Sequence, residues 1–217
     1  MNTIRCVIFD MDGTLTQTNQ LIFDSFNHIA QNYAGRTFSE KEITALFGPP
    51  EEGALVSIVG KGKIDAALRD YLDFYRKNHA RLAKLYPGIV DILRFLKDKG
   101  CKLALFTGKG VHTTTITLDA FGLTPFFDSV VTGNDVINHK PSAEGIQKIM
   151  AHLAIEPAEA LMIGDSVADV KAAHDAGVKM AAVLWDSYGK EQVLQMETDF
   201  LFHRVDEFSR WLQYQFQ

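Results

Sequence analysis

Short apolar runs of strand type alternate with helical stretches over most of the chain. The runs occupy residues 4–9, 103–106, 129–131, 160–163 and 180–184, and helical patterns lie near 89–99, 111–121, 142–153 and 166–176. Strands that alternate with helices form a parallel sheet covered on both faces. We therefore predict an α/β fold with a doubly wound parallel sheet. Residues 200–202 are predicted as a last strand, and Asp206 as the cap of a terminal helix.

Residues 19–83 interrupt this alternation directly after the first strand, and they are helical in pattern throughout. Apolar residues recur at helical spacing over 22–33 and 64–75, and Ser39 with Glu42 forms a capping-box pattern between them. The stretch is too long to be a loop. We predict an inserted helical cap over 17–83 and a core domain formed by 1–16 and 84–217.

Charge and composition exclude several partners. The 217 residues carry a net charge of −5, with no basic block of the kind that binds nucleic acid. No apolar run approaches the length of a membrane span, and the first run is too short for a signal peptide. The two cysteines are predicted to be buried thiols. We therefore expect a cytoplasmic protein without nucleic-acid or membrane partners, as a monomer or homodimer.

Polar residues follow several of the predicted strands. Asp10 and Asp12 end the first, Thr107 and Gly108 follow a second, and Asp165 follows a third, while Lys140 lies in a loop before that third strand. Each residue alone fits an ordinary cap, turn or surface position. Together they form a complementary set at the carboxyl edge of the sheet, where such folds bind ligands.

Two carboxylates beside a buried strand are unfavourable unless a cation neutralises them. Mg²⁺ prefers carboxylate and carbonyl oxygens and leaves room for a substrate phosphate. The predicted ligands are the side chains of Asp10 and Asp165 and the backbone carbonyl of Asp12. Asp169, one helical turn beyond Asp165, is expected to support the site rather than bind the metal directly.

The segments "DMDGT", "TGK", "KPS" and "GDSVAD" resemble the four motifs of the haloacid dehalogenase superfamily, in the family's order. The resemblance covers the whole chain and is nearest to the phosphoglycolate phosphatase-like branch. It implies a Rossmann-like core, with residues 17–83 similar to a C1-type helical cap. It also implies a Mg²⁺-dependent phosphatase that hydrolyses a small, phosphoglycolate-like monoester of a phosphorylated metabolite.

The same resemblance implies a role for each site residue. Asp10 is the expected nucleophile, which forms an aspartyl-phosphate. Asp12 is the expected general acid and then base. Lys140 offsets negative charge on Asp10 and on the phosphate, whose oxygens Thr107 and Gly108 bind at a helix N-terminus.

Several alternatives remain open at this point. A sugar phosphomutase or a pyrophosphatase would carry the same motifs. A phospho-receiver signalling module also clusters carboxylates around Mg²⁺, although it has no inserted cap. The loop "FGPPEEG" (47–53) is the candidate specificity loop, where Glu51 and Glu52 either face the substrate or form a solvated first helical turn. Lys109 either contacts substrate or is solvated.

Overall fold

The computed structural model describes residues 4–216. The strands are β1 (Cys6–Phe9), β2 (Thr16–Gln17), β3 (Lys84–Leu85), β4 (Lys102–Phe106), β5 (Ser129–Val131), β6 (Ala160–Gly164), β7 (Lys179–Val183) and β8 (Phe200–Phe202). The helices are α1 (Asn19–Ala34), α2 (Glu40–Thr44), α3 (Glu51–Val59), α4 (Ile64–Leu82), α5 (Ile89–Asp98), α6 (Val111–Ala120), α7 (Glu144–Leu153), α8 (Val167–Ala176), α9 (Lys190–Val193) and α10 (Val205–Gln215).

Six strands form one parallel sheet in the order β5-β4-β1-β6-β7-β8. Strand β1 lies between β4 and β6, with Phe9 opposite Leu105 on one side and Ile163 on the other. The chain leaves β1 for β4 and later returns to β6 on the opposite side of β1. Ligand crevices in such sheets lie at this reversal, beyond the carboxyl ends of the strands. The predicted doubly wound sheet is confirmed.

The strands are apolar on both faces because helices cover both faces. Successive side chains of β1 point in opposite directions, so Cys6 and Ile8 pack with helices α7 and α8, whereas Val7 and Phe9 pack with α5 and α10. These two clusters of buried apolar side chains fix β1 at the centre of the sheet. The residue after Phe9 is Asp10, which is thereby held at the carboxyl edge.

Helices α1 to α4 follow β2 and precede β3, and they enclose a hydrophobic cluster of their own. Its largest fully buried side chains are Tyr71 and Tyr75 of α4, and Tyr71 packs edge-on against Phe26 of α1 with ring centroids 5.1 Å apart. Strands β2 and β3 pair antiparallel, Thr16 opposite Leu85, where the chain enters and leaves these helices. An inserted helical subdomain is therefore present; its exact limits, 17 and 83, stay a prediction.

Two predicted helix caps have different outcomes. The capping box of Ser39 and Glu42 is confirmed at the start of α2. The predicted cap role of Asp206 is wrong, because α10 begins at Val205 and its N-cap residue is Arg204. Asp206 instead lies in the first turn, where its carboxylate accepts two hydrogen bonds from Arg204. Among residues 4–216, no helix is both long and apolar enough to cross a membrane.

Candidate active site

Three buried carboxylates meet at the carboxyl edge of the sheet. Asp10 follows β1, Asp165 follows β6, and Asp169 lies in the first turn of α8. One carboxylate oxygen from each lies within 4.8 Å of the other two. Gly13, at φ +84°, makes this approach possible, since a Cβ at that position would collide with the carboxylate of Asp165.

Lys140 neutralises part of this cluster. Its Nζ lies 2.8 Å from Oδ1 of Asp10 and 2.7 Å from Oδ1 of Asp169, and it also donates to the carbonyl of Phe106 at 2.6 Å. Burial alone would lower the pKa of this ammonium group, but attraction to Asp10 and Asp169 outweighs burial and raises it. Lys140 is therefore a fixed positive charge beside Asp10.

Asp169 is held in place by the start of its own helix. Its Oδ2 accepts hydrogen bonds from the backbone N–H of Ser166 at 3.0 Å and from the Ser166 hydroxyl at 2.6 Å. Ser166 is the N-cap of α8, so this is a capping box. Both carboxylate oxygens of Asp169 accept hydrogen bonds, Oδ2 from Ser166 and Oδ1 from Lys140. These bonds suit a residue that supports the site rather than one that binds the metal directly.

The cluster is electrostatically unfavourable without a cation. Burial raises the pKa of Asp10 from 3.8 to about 7, even though Lys140 opposes the shift. Burial, together with the negative charges of Asp10 and Asp169, raises the pKa of Asp165 well above its usual range. A set of buried, all-oxygen donors with this excess of negative charge fits Mg²⁺. Asp10 and Asp165 would hold the ion.

Asp12 has a different environment. Both of its carboxylate oxygens lie 3.1 Å from Nζ of Lys109, and Oδ1 also accepts a short hydrogen bond from the Thr18 hydroxyl. The side chain thus lies outside the group of three carboxylates. The predicted contribution of its backbone carbonyl to the metal stays a prediction.

Lys109 is buried rather than solvated, so the solvated interpretation is wrong. Besides Asp12, its Nζ lies 4.8 Å from the ring centroid of Tyr75, a cation–π contact between core and cap. Burial would lower the pKa of Lys109, but attraction to Asp12 outweighs it and the pKa is raised. The sequence places Lys109 directly after the predicted phosphate-binding residues Thr107 and Gly108. Its ion-pair partner Asp12, however, is 97 residues away in the chain.

Thr107 and Gly108 follow β4 and precede α6. The Thr107 backbone N–H donates to the carbonyl of Val131 at 3.0 Å, and its hydroxyl oxygen accepts from the N–H of Lys109 at 3.2 Å. Both residues border the same cavity as Asp10 and Lys140. The predicted phosphate-binding residues and the predicted nucleophile therefore face one space.

Glu51 joins the cap to this loop. Its carboxylate accepts hydrogen bonds from the backbone N–H of Gly110 at 2.8 Å and from the hydroxyl of Thr113 at 2.5 Å. Glu51 is 8% exposed, and burial raises its pKa. A Cβ at Gly110 would collide with this carboxylate. Of the two interpretations of the 47–53 loop, a solvated first turn is wrong for Glu51, which contacts the start of core helix α6.

A cavity of about 440 Å³ lies between core and cap. It is lined by every predicted site residue, namely Asp10, Asp12, Thr107, Gly108, Lys140 and Asp165. Sequence reasoning missed the cap residue Tyr71 and the core residue Tyr188, which also line it. The aromatic spacing on α4 indicated a packed helix and gave no signal for a cavity wall.

The fold and the site define the class of protein. The pattern of the haloacid dehalogenase-like hydrolases matches residues 7–183 of the 217, and the chain belongs to that family. This membership and the inserted cap decide against a phospho-receiver module.

Particular relatives cover nearly the whole chain. Pyrophosphatase PpaX of Anoxybacillus flavithermus is 35% identical over 204 residues, 94% of each chain, and PpaX of Bacillus pumilus is 35% identical over 206 residues, 95% of each. The crystal structure of a predicted phosphoglycolate phosphatase from Haemophilus somnus superposes with a TM-score of 0.85 at 23% identity, over 99% of both chains. CbbY of Rhodobacter sphaeroides, solved with phosphate, has a TM-score of 0.80 at 24% identity, over 94% of this chain and 96% of that one. At these identities, the two structures show a likeness to this chain in fold alone.

Proposed function

We propose that the protein is a Mg²⁺-dependent phosphatase that hydrolyses a small phosphate monoester through an aspartyl-phosphate on Asp10. The observation that carries this proposal is the convergence of Asp10, Lys140 and Asp165 on one cavity with Thr107 and Gly108. Phosphoryl transfer depends mainly on positioning and on neutralising charge, and this group of residues supplies both.

In the first step, a carboxylate oxygen of Asp10 attacks phosphorus and the bond from phosphorus to the ester oxygen breaks. Lys140 offsets the charge on Asp10 and on the transferring group, while Thr107 and Gly108 bind phosphate oxygens. Asp12 gives a proton to the departing oxygen. When bound, Mg²⁺ supplies further neutralisation of the phosphate and of the acidic cluster.

In the second step, Asp12 accepts a proton from water, and the resulting hydroxide attacks phosphorus. The bond between phosphorus and the Asp10 oxygen breaks, which releases phosphate and regenerates the carboxylate. The ion pair with Lys109 orients the side chain of Asp12, the residue that exchanges a proton in both steps.

The test is turnover of p-nitrophenyl phosphate with and without Mg²⁺, in the wild type and in Asp10→Asn. We expect phosphate release that requires Mg²⁺ and falls by at least about 10³-fold in Asp10→Asn, because the nucleophile is removed. Asp65→Asn is the matched control, since Asp65 is an exposed carboxylate in the first turn of cap helix α4. Transfer of the phosphoryl group to a sugar phosphate rather than to water would identify a phosphomutase instead.

Pyrophosphate hydrolysis is the second candidate. It is supported by the pyrophosphatase relatives, which are 35% identical over nearly their whole length. Phosphate release from pyrophosphate with a kcat/KM well above that of any monoester would favour this candidate.

A further inference from the structure

We propose that the leaving group of the substrate is uncharged, with an apolar surface and one acceptor oxygen that binds the hydroxyl of Tyr71. This inference rests on the proposed phosphatase function and specifies its substrate class. It follows from three independent features of the cavity wall: its charges, its apolar cap side and one buried hydroxyl.

The first feature is the balance of charge. Among residues 4–216, Lys109 and Lys140 are the only lysine or arginine side chains that line the cavity, and each already contacts a carboxylate. Five carboxylates line the same space: Asp10, Asp12, Glu51, Asp165 and Asp169. One Mg²⁺ and the two lysines do not offset five carboxylates and a phosphate. A second anionic group on the substrate would therefore meet excess negative charge without a free cation.

The second feature is the apolar wall that the cap provides. Its side chains there are mainly aliphatic and aromatic, and the apolar ones are Ile22, Phe26, Leu46, Phe47, Ala54 and Tyr71. At the rim, Phe47 of the cap is 46% exposed and Tyr188 of the core is 53% exposed. Both rings pack on Phe23, at centroid distances of 6.5 and 5.4 Å. Such a surface gains free energy from covering an apolar group and none from an anion.

The third feature is the hydroxyl of Tyr71. Tyr71 is fully buried and borders the cavity, and its hydroxyl has no hydrogen-bond partner among residues 4–216. The nearby Glu51 carboxylate is engaged by Gly110 and Thr113. A buried hydroxyl without a partner is unfavourable, and an acceptor oxygen on a ligand would satisfy it. Selectivity for that oxygen follows, because a ligand without it leaves the hydroxyl unpaired.

The experiment compares four phosphates: 4-methoxybenzyl phosphate, benzyl phosphate, phosphoglycolate and pyrophosphate. Binding to Asp10→Asn with Mg²⁺ is measured by calorimetry, and turnover is measured in the wild type. We expect both benzyl esters to bind at least about 10-fold more tightly than phosphoglycolate and pyrophosphate, whose leaving groups are anionic. We expect the same order in kcat/KM. Tighter binding of phosphoglycolate or pyrophosphate, or no binding of any benzyl ester, would overturn the proposal.

Two variants separate the features. Tyr71→Phe should weaken the binding of 4-methoxybenzyl phosphate by about 5- to 10-fold and that of benzyl phosphate only slightly. The reason is that only the methoxy ester carries the acceptor oxygen. An equal loss on both would overturn the role of Tyr71. Tyr33→Phe is the control, since the Tyr33 hydroxyl donates to Asp70 on an exposed part of the cap. Phe47→Arg, at a half-exposed position, should shift preference toward phosphoglycolate.

Failure of this inference and failure of the proposed function give different results. If the wild type turns over none of the four compounds while Asp10→Asn still prefers the benzyl esters, the phosphatase proposal fails and the specificity holds. If turnover is Asp10-dependent but fastest with an anionic leaving group, the phosphatase proposal holds and the specificity is wrong.

Discussion

The Nζ of Lys109 lies 3.1 Å from each carboxylate oxygen of Asp12, across 97 residues of sequence. This ion pair places a positive charge beside the residue proposed as acid and base, and the Tyr75 ring of the cap covers the same ammonium group. Lys109 therefore links Asp12 to the position of the cap. Its removal should affect the chemistry of Asp12 and leave the carboxylate cluster around Asp10 in place.

Lys109→Met should lower kcat by about 10- to 100-fold, because Asp12 loses the partner that orients its carboxylate and its general acid–base contribution falls. The measurement is steady-state kinetics with Mg²⁺ at saturating p-nitrophenyl phosphate. Lys171→Met, an exposed lysine on α8, is the control and should match the wild type. An unchanged kcat in Lys109→Met would show that the ion pair has no catalytic role.

Lys140→Met should remove activity and destabilise the metal-free protein by about 3 to 5 kcal/mol, since it leaves the buried carboxylates of Asp10 and Asp169 without their counter-ion. Chemical denaturation in EDTA measures the free energy of unfolding. Added Mg²⁺ should recover part of that loss, because the ion binds the same carboxylates. Equal stability of wild type and variant in EDTA would contradict this account of Lys140.

The stability of the metal-free protein should fall as the pH rises. The pKa of Asp10 is 3.8 as an ordinary carboxyl and about 7 when buried here, so the folded protein binds more protons than the unfolded chain between these values. The free energy of unfolding therefore decreases from about pH 4 to about pH 7. The raised pKa of Asp165 acts in the same direction.

Mg²⁺ must displace these protons, so its affinity should increase over the same pH range. Thermal unfolding at pH 5, 6, 7 and 8, with and without Mg²⁺, measures both effects. We expect the shift in Tm on adding Mg²⁺ to grow with pH. A shift that is constant or declines toward pH 8 would contradict raised carboxyl pKa values in the acidic cluster.

Glu51→Ala should loosen the contact between cap and core. Loss of this carboxylate leaves the buried N–H of Gly110 and the hydroxyl of Thr113 without their acceptor, which costs about 1 to 3 kcal/mol. We expect a lower Tm and a higher KM. Glu51→Gln retains one acceptor oxygen and should lie between wild type and Glu51→Ala, whereas the exposed control Asp65→Asn should change neither quantity.

The sequence predicted the parallel sheet and the cluster of predicted site residues because both depend on local patterns. Each apolar run specifies a strand, and the carboxyl ends of parallel strands necessarily share one edge. The proximity of Asp10 and Asp165 follows from this shared edge, and Lys140 lies in the loop that precedes α7.

The contacts between cap and core could not be predicted in this way. Glu51 and Gly110 are 59 residues apart, and their contact depends on how four cap helices dock on the sheet. Nothing in the local pattern of "GPPEEG" distinguishes a buried glutamate from a solvated one. The pairing of β2 with β3 is equally non-local, because it joins the two ends of the cap. A strand of only two residues also gives no recognisable sequence pattern. The misplaced cap at Asp206 arose because an acidic residue favours both the cap and the first turn of a helix.

The most direct test of the central claim is to trap the phosphorylated Asp10. Asp12→Asn should slow the second step more than the first with p-nitrophenyl phosphate, whose leaving group needs little protonation. The enzyme is mixed with this substrate and Mg²⁺, acid-quenched and treated with hydroxylamine, and its peptides are mapped by mass spectrometry. The account predicts a burst of nitrophenolate close to one equivalent and a hydroxamate at Asp10. A burst without modification of Asp10, or a hydroxamate at another carboxylate, would contradict it.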